Sequence, residues 1–206
     1  MPVIEQSVVA HDLGHEFLPD HPVFRHVSFS LTPDQVYAVV GPSGSGKSTL
    51  LSVIAGWLSP SRGEVVRRNV STIRWVFQNP HGVARRNALD HVALGFVARG
   101  ARRRDADFRA RALLDRFGLS GVADSPFAAL SGGEAQRLML ARGLASGPDL
   151  FLVDEPTAQL DRVTADEVNQ VLSGLAGQGV IVVIATHDPQ TARMCTDVID
   201  LGVARP

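Results

Sequence analysis

A glycine-rich stretch, GPSGSGKST at 41–49, constrains this chain more than any other feature. It has the spacing Gly, four residues, Gly-Lys-Ser, between an apolar run and a helical pattern. Its glycines let successive backbone N–H groups point into one concavity at a helix start, where they bind anionic oxygens. Lys47 can reach the terminal phosphates of a nucleotide and Ser48 can bind Mg²⁺. This predicts a nucleoside-triphosphate site made of Gly41, Pro42, Ser43, Gly44, Ser45, Gly46, Lys47, Ser48 and Thr49.

Short apolar runs alternate with helical patterns along the chain. The runs at 36–40, 73–77, 150–153 and 180–185 have the length and composition of strands buried on both faces, which favours a mostly parallel α/β sheet. From about 80 to 146 the pattern is helical instead. There we expect Asp105 to cap a helix that Gly118 ends, and we expect Gly177 to close a later helix.

The composition argues against several classes of protein. The 206 residues suit one domain, and a net charge of −1 gives no basic excess for a nucleic-acid partner. A single cysteine excludes an internal disulfide framework. We expect no signal peptide, and the longest apolar runs are too short to cross a bilayer. Any membrane involvement would therefore need another chain to span it.

A second landmark is LFLVDEP at 150–156, an apolar strand that ends in two acids. Asp154 can hold Mg²⁺ there, and Glu155 suits a general base that orients and deprotonates the attacking water.

A third landmark, LSGGEAQR at 130–137, places Ser131, Gly132 and Gly133 before another helical pattern, which is a second anion-binding arrangement. Two such sites could bind one triphosphate from opposite sides.

In this order and spacing the motifs resemble those of the ATP-binding-cassette (ABC) ATPases over nearly the whole chain. The resemblance implies an α/β P-loop NTPase with a RecA-like, mostly parallel core sheet, an antiparallel β part near the N-terminus and an inserted α-helical subdomain. We predict a single domain over 1–206, with the core at about 1–79 and 147–206. The helical insertion would span about 80–146 and carry the LSGGEAQR signature.

The resemblance also implies roles for further residues. Gln78 would contact Mg²⁺ and the attacking water, and His187 would contact the γ-phosphate and position Glu155. Ser131 and Gly133 would bind the γ-phosphate held by a second subunit, and Asp161 would lie at that dimer seam. An aromatic residue normally stacks on adenine in this family, for which Phe17 has the best spacing and His15 is the alternative.

Two departures from the family pattern stand out. Asp34 replaces a glycine that usually precedes the first core strand, and we expect a modified turn, since Asp tolerates unusual backbone angles. Residues 81–86 replace a Leu-Pro pair in the loop after Gln78. That loop faces the transmembrane partner in the family, so this departure bears on the identity of the partner.

We therefore expect an ATPase that uses ATP and Mg²⁺, forms a homodimer or a heterodimer with a related ATPase, and drives a permease on a separate chain. It would be cytoplasmic and peripheral on the inner face of the membrane. Mechanical signalling through a membrane partner without transport, and a soluble non-transport ABC role, are the alternatives. The motif text is similar to the group of lipoprotein-release, macrolide-export and cell-division ATPases.

Overall fold

The computed structural model describes residues 6–202, and a three-stranded antiparallel sheet lies at its N-terminal side. Strand β1 (Ser7–Leu18) is the central strand, between β2 (His21–Leu31) and β4 (Arg62–Arg68). The register along β1 is irregular, with Asp12 and His26 at positive φ. This sheet is the predicted antiparallel β part.

A five-stranded parallel sheet forms the core. Its strands are β3 (Val36–Val40), β5 (Ile73–Val76), β6 (Leu150–Asp154), β7 (Ile181–Thr186) and β8 (Asp197–Asp200), in the order β5-β6-β7-β3-β8. Along β6, Phe151 and Val153 pack into one hydrophobic cluster, whereas Leu150 and Leu152 pack into another. The sheet is therefore buried on both faces, as its continuous apolar runs predict.

Helices cover both faces of this sheet. One cluster joins the sheet to the helices of the 80–146 region and to the helix at Arg162–Ser173, and the other joins it to the helix at Lys47–Ala55 and to the antiparallel sheet. The helices are α1 (Lys47–Ala55), α2 (Ala88–Ala98), α3 (Arg103–Arg116), α4 (Gly132–Ala145), α5 (Arg162–Ser173) and α6 (Pro189–Arg193). No helix within residues 6–202 combines the length and apolar character needed to span a bilayer.

The α/β prediction is confirmed, and the predicted strands lie within a residue or two of their places. Two of the helix boundaries predicted from the sequence were wrong. Arg102 is the N-cap of α3 and Asp105 lies in its first turn, where its charge still suits the helix dipole. Helix α5 ends at Ser173 rather than at Gly177, because Gly174 already caps it. The bounds of the single domain and its helical insertion stay a prediction, and residues 1–5 and 203–206 lie outside the described part.

Asp34 takes the modified turn that the sequence predicts. Its φ is 66°, and its carboxylate Oδ1 accepts a hydrogen bond of 2.6 Å from the backbone N–H of Gly179. Its own N–H donates to the carbonyl of Val180 at 3.2 Å. The Asp34 side chain thus supplies a contact that a glycine could not, and it ties the start of β3 to the start of β7.

Candidate nucleotide-binding site

Four neighbouring strands of the parallel sheet bring the predicted chemistry to one edge. The glycine-rich loop follows β3, His187 follows β7, Glu155 follows β6 and Gln78 lies two residues after β5. Parallel strands end at the same edge of a sheet, so residues far apart in sequence meet there. The strand order therefore explains how this site assembles.

The glycine-rich loop adopts a conformation that requires its glycines. Gly44 and Gly46 have φ of 81° and 89°, and a Cβ on Gly46 would lie 2.3 Å from Cγ1 of Val23. Gly46 is also the N-cap of α1 and has no side chain to bond the first backbone N–H groups of the helix. Those N–H groups remain available to an anionic oxygen.

Lys47 begins α1 and is held from three directions. Its buried ammonium donates to the carbonyls of Gly41 at 2.9 Å and Pro42 at 3.1 Å, and it lies 3.3 Å from Oε1 of Glu155. Oε2 of Glu155 accepts from Nδ1 of His187 at 2.9 Å. Since a carboxylate only accepts, Nδ1 carries the proton and Nε2 is the remaining ring nitrogen.

Glu155 holds an unusual backbone conformation for a residue with a Cβ. Its φ is 45°, and its N–H donates to the carbonyl of Ala185 at 2.8 Å. Left-handed backbone at a non-glycine residue costs free energy and persists where the surroundings fix it. The strand end of β7 and the His187 ring supply that restraint, so the direction of the Glu155 carboxylate is set by the fold.

Asp154 lies beside Glu155, and one of its carboxylate oxygens has no hydrogen-bond partner in the described residues. Burial is the main cause that raises the pKa of its carboxyl, and the neighbouring Glu155 charge adds to it, while a hydrogen bond from Ser48 and the charge of Lys47 act in the opposite direction. Oδ1 is buried and has no hydrogen-bond partner within residues 6–202. An unpartnered buried carboxylate oxygen next to a hydroxyl is an oxygen donor set of the kind that Mg²⁺ prefers.

Gln78 and the two candidate adenine contacts differ in exposure. Gln78 is exposed at the same sheet edge. Phe17 lies near the end of β1 with 67% of its side-chain surface exposed, and its ring packs edge-to-face on His15 at 4.7 Å between centroids. His15 itself is buried, with 6% exposed. Phe17 therefore has a free ring face, whereas His15 is packed inside.

Ser131 is the N-cap of α4, in a reciprocal arrangement with Glu134. The Ser131 hydroxyl accepts from the Glu134 N–H at 3.3 Å, and the Glu134 carboxylate accepts from the Ser131 N–H at 2.8 Å. Hydrogen bonds from Ser131 lower the pKa of Glu134, and the bond from the backbone N–H has a larger effect than the bond from the hydroxyl. Glu134 was not predicted as a capping residue, although the spacing Ser-x-x-Glu before a helix is the sequence signal for such a capping box.

Gly133 is explained by packing within the chain. A Cβ there would lie 2.0 Å from Cγ2 of Thr164 on α5, whereas Gly132 is exposed and has room for a side chain. Asp161 caps α5 and accepts from the Val163 and Thr164 N–H groups at 3.0 and 3.1 Å. Hydrogen bonds from the Thr164 side chain and backbone lower the pKa of Asp161. The contact between α4 and α5 thus fixes Ser131 and Asp161 relative to each other.

The predicted site residues fall into two groups. One comprises the glycine-rich loop with Lys47, Asp154, Glu155 and His187, and the other comprises the starts of α4 and α5. Within residues 6–202, no hydrogen bond or ion pair joins Ser131, Gly132, Gly133 or Asp161 to the loop at 41–49. The described residues therefore contain two candidate phosphate contacts that are not joined by a hydrogen bond or an ion pair.

The fold and the loop at 41–49 define a P-loop nucleoside triphosphatase. The family described as ABC transporter matches residues 24–158, which is more than half of the chain. The chain belongs to that family, and it is an ATPase that binds ATP.

Curated relatives support the same assignment. The chain is 38% identical over 198 residues to the lipoprotein-releasing system ATP-binding protein LolD 2 of Caulobacter vibrioides, covering 88% of this chain and 87% of that one. It is 36% identical over 194 residues to the macrolide export ATP-binding/permease protein MacB of Salmonella choleraesuis, covering 87% of this chain. That region is only 30% of MacB, so the chain spans less than a third of this longer relative.

Solved structures share the whole fold. The ATP-binding cassette MJ0796, in a dimeric post-hydrolysis state bound to ADP and Pi, superposes with a TM-score of 0.78 at 29% identity, covering 96% of this chain and 97% of that one. A putative metal-chelate type ABC transporter in an inward-facing conformation gives a TM-score of 0.79 at 29% identity, covering 95% and 80%. The predicted P-loop fold is confirmed.

Proposed function

We propose that two copies of this chain close around ATP, each contributing one of the two phosphate contacts to the same nucleotide. The observation that carries this proposal is that one chain has two candidate anion contacts, the loop at 41–49 with Lys47 and the start of α4 with Ser131, and that no hydrogen bond or ion pair in residues 6–202 joins them. A second copy would supply the second contact to the same triphosphate. The dimeric state of the similar cassette MJ0796 supports the same arrangement.

Within this dimer, Lys47 and the N–H groups at the start of α1 would neutralise the phosphate charge. Phosphoryl transfer needs positioning and charge neutralisation more than covalent chemistry. Glu155, whose direction is fixed by His187 and β7, would accept a proton from the attacking water. Ser131 and Gly133 of the second copy would bind the γ-phosphate, with Asp161 at the seam between the copies.

Mg²⁺ fits the residues beside the loop. Bound there, the ion would neutralise charge on the phosphate oxygens. Asp154 would hold it through the oxygen that lacks a partner, with Ser48 and Gln78 as the other protein contacts. Within the described residues there is no group of three or more His, Cys, Asp or Glu side chains suited to a metal. A Mg²⁺ site with few protein carboxylates is of the kind that substrate phosphates and water complete.

The partner that this ATPase drives would be a permease on a separate chain. Binding to that permease would hold the ATPase at the inner face of the membrane. A cavity of about 520 Å³, the docking groove, lies between the β5 edge and helices α2 and α4. Its wall includes His81, Val83 and Arg86 from the loop that faces the transmembrane partner in this family. The relatives in lipoprotein release and macrolide export support a transport role.

Mechanical signalling without transport is the second candidate function, because the docking groove serves either role equally. A soluble role is less favoured, because relatives that this chain resembles over most of its length are named for lipoprotein release and macrolide export. Reconstitution of this chain with the membrane protein that it binds distinguishes transport from signalling without transport. Transport of a solute by the reconstituted pair supports the first candidate, and ATPase activity without transport supports the second.

The ATP-dependent dimer is tested by light scattering on the Glu155→Gln variant. One chain has a mass of 22.0 kDa, and with ATP and Mg²⁺ we expect twice that mass. The Lys47→Ala/Glu155→Gln variant is the control, and it should stay at the single-chain mass because it binds nucleotide weakly or not at all. A Glu155→Gln chain that remains a single copy while calorimetry shows bound ATP contradicts the proposal.

A further inference from the structure

Four exposed arginines around the turn between α2 and α3 have no acidic partner. This arginine cluster consists of Arg99, Arg102, Arg104 and Arg109. No ion pair within residues 6–202 includes any of them. By contrast, Arg103 pairs with Asp90 and Asp107. Arg111 pairs with Asp124. The charge of the arginine cluster is therefore not neutralised by the part of the chain that the structure describes.

Three members of the arginine cluster line one hollow between the end of α2 and the start of α3. Arg99, Arg102 and Arg109 surround a cavity of about 490 Å³, and Asp105 and Phe96 also line it. Three guanidinium groups against one carboxylate leave the hollow positive, and guanidinium groups stay charged across the physiological range. A phosphate group has several oxygens and can accept hydrogen bonds from more than one guanidinium at once.

Two members of the arginine cluster stand where positive charge is unfavourable for a helix. Arg102 is the N-cap of α3 and Arg104 lies in its first turn, and the dipole of a helix disfavours cations at this end. The Arg102 side chain also makes no capping hydrogen bond. These arginines therefore do not stabilise α3, and a negatively charged ligand would offset their repulsion.

An exposed aromatic side chain lies beside the arginine cluster. Phe108 on α3 has 78% of its surface exposed. It directly precedes Arg109 and follows Arg104 by four residues, so it shares a face of the helix with Arg104. A free phosphate would satisfy the arginines but leave the ring of Phe108 in water. An anionic bilayer satisfies both, because guanidinium groups reach the headgroups while an aromatic ring enters the boundary with the acyl chains.

The arginine cluster adjoins the docking groove. On α2, Leu94 lines the groove, whereas Phe96 and Arg99 line the hollow. The Arg99 guanidinium also packs against Gly147, where a Cβ would lie 2.5 Å from its Cζ, and the preceding Ser146 lines the groove. A chain that binds a permease through the docking groove therefore presents the arginine cluster on the adjoining surface.

We propose that the arginine cluster and Phe108 bind anionic phospholipids of the inner leaflet. A headgroup phosphate lies in the hollow, between Arg99, Arg102 and Arg109. This inference rests on the proposed function only for the presence of a membrane beside the docking groove, and the lipid contact itself needs no permease. Each unpaired arginine near an anionic surface tightens binding roughly fivefold, so four together hold the chain at the membrane where one would not.

Sedimentation of the full chain with vesicles that contain no permease tests the inference. One set of vesicles is phosphatidylcholine alone, and in the other phosphatidylglycerol makes up about one-third of the lipid. We expect the chain to bind the anionic vesicles at least about tenfold more tightly than the neutral ones, and added salt to reduce this preference through screening. Equal binding to both sets, or no binding to the anionic set, overturns the inference.

Removing charge from the hollow should remove most of this binding. The cluster variant is Arg99→Gln/Arg102→Gln/Arg109→Gln. We expect it to bind anionic vesicles about a hundredfold more weakly, and to keep its ATP affinity as evidence that it is folded. The control variant removes the same charge from three exposed arginines elsewhere, Arg25→Gln/Arg68→Gln/Arg193→Gln. It should bind as the wild-type chain does, and an equal loss in both variants would assign binding to net charge and contradict the inference.

The ring of Phe108 is tested separately. Vesicles with bromine on the acyl chains quench nearby tryptophans, and they should quench the Phe108→Trp chain more than the wild-type chain, whose tryptophans are Trp57 and Trp75. Phe108→Ser should bind anionic vesicles about fivefold more weakly, because it cannot bury an apolar ring. No additional quenching, together with full binding of Phe108→Ser, contradicts the insertion of the ring.

A last comparison separates this inference from the proposed function. In neutral vesicles that contain the native permease, the wild-type chain and the cluster variant should bind equally, because no anionic lipid is present. Weaker binding of the cluster variant there would assign the arginines to an acidic protein surface and overturn the lipid inference. No binding of the wild-type chain to these vesicles contradicts the permease assignment and leaves the lipid inference standing.

Discussion

The ammonium of Lys47 lies 3.3 Å from Oε1 of Glu155, while Nδ1 of His187 lies 2.9 Å from Oε2 of the same carboxylate. One side chain thus connects the glycine-rich loop after β3 to the residue after β7. A phosphate group at Lys47 would compete with Glu155 for the same ammonium. We propose that this exchange frees Oε1 to accept a proton from water while His187 keeps the carboxylate in place.

The first prediction concerns Glu155 itself. Glu155→Gln should leave ATP affinity intact and lower steady-state hydrolysis about a hundredfold or more, because an amide cannot accept the proton. Phosphate release and calorimetry on the same preparation measure both quantities. Glu64→Gln, an exposed position on β4, is the matched control. Turnover near the wild-type rate would remove Glu155 from the role of base.

The second prediction tests why Gly133 is a glycine. Gly133→Ala should lower the free energy of unfolding by about 1–3 kcal/mol, because its Cβ would overlap Cγ2 of Thr164. Adding Thr164→Ser removes that methyl group and keeps the hydroxyl that bonds Asp161, so much of the stability should return. Urea unfolding measures both. If the double variant is no more stable than Gly133→Ala alone, packing against Thr164 is not the reason for the glycine.

The third prediction separates the two candidate adenine contacts. Phe17→Ala should weaken ATP binding about tenfold with little change in stability, because it removes an exposed stacking surface. His15→Ala should instead lower the melting temperature, because it leaves a cavity at a buried site. Calorimetric titration and thermal unfolding of both variants distinguish the two roles. Unchanged ATP affinity in Phe17→Ala would assign adenine stacking elsewhere.

The fourth prediction uses Asp149, which precedes β6 at the opposite end of that strand from Asp154. Burial alone would raise the pKa of its carboxyl, but hydrogen bonds from Thr72, Ser71 and Gln6 lower it overall. Because the folded pKa lies below the unfolded one, Asp149 stabilises the fold above about pH 4 and loses that contribution as pH falls through the folded pKa. The stability gap between wild type and Asp149→Asn should therefore be full at pH 7 and shrink below about pH 4. A gap independent of pH would contradict this.

The sequence was sufficient for four of the five strands of the parallel sheet and for the edge where the site lies. Strong apolar runs predict the buried strands, and the loop at 41–49 has spacing that few other structures use. Strand β8 was missed because only Ile199 of its residues is buried, so its pattern lacks an apolar run. The roles of Glu134 and Thr164 depend on how α4 and α5 meet, which no local pattern encodes. Similarly, the exposure of Phe17 and the burial of His15 lie in a part of β1 with register shifts, where simple alternation along the strand does not predict which side chain is buried.

The central claim is that the loop at 41–49 of one copy meets the start of α4 of another around ATP. Two exposed positions suit a cysteine at these surfaces, Ser43 and Gly132. Beyond its own helix and chain neighbours, the nearest heavy atom to a Cβ on Gly132 would be Cδ2 of Leu160 at 3.7 Å. The native Cys195 should stay inert, because burial raises the pKa of its thiol to about 11.

The most direct measurement mixes a Ser43→Cys chain with a Gly132→Cys chain, both carrying Glu155→Gln, under oxidising conditions. We predict a disulfide between the two different chains that accumulates with ATP and Mg²⁺ and stays low without nucleotide. When both chains also carry Lys47→Ala, the disulfide between them should not form. Absence of the mixed disulfide in the presence of bound ATP, or equal amounts with and without nucleotide, would contradict the account.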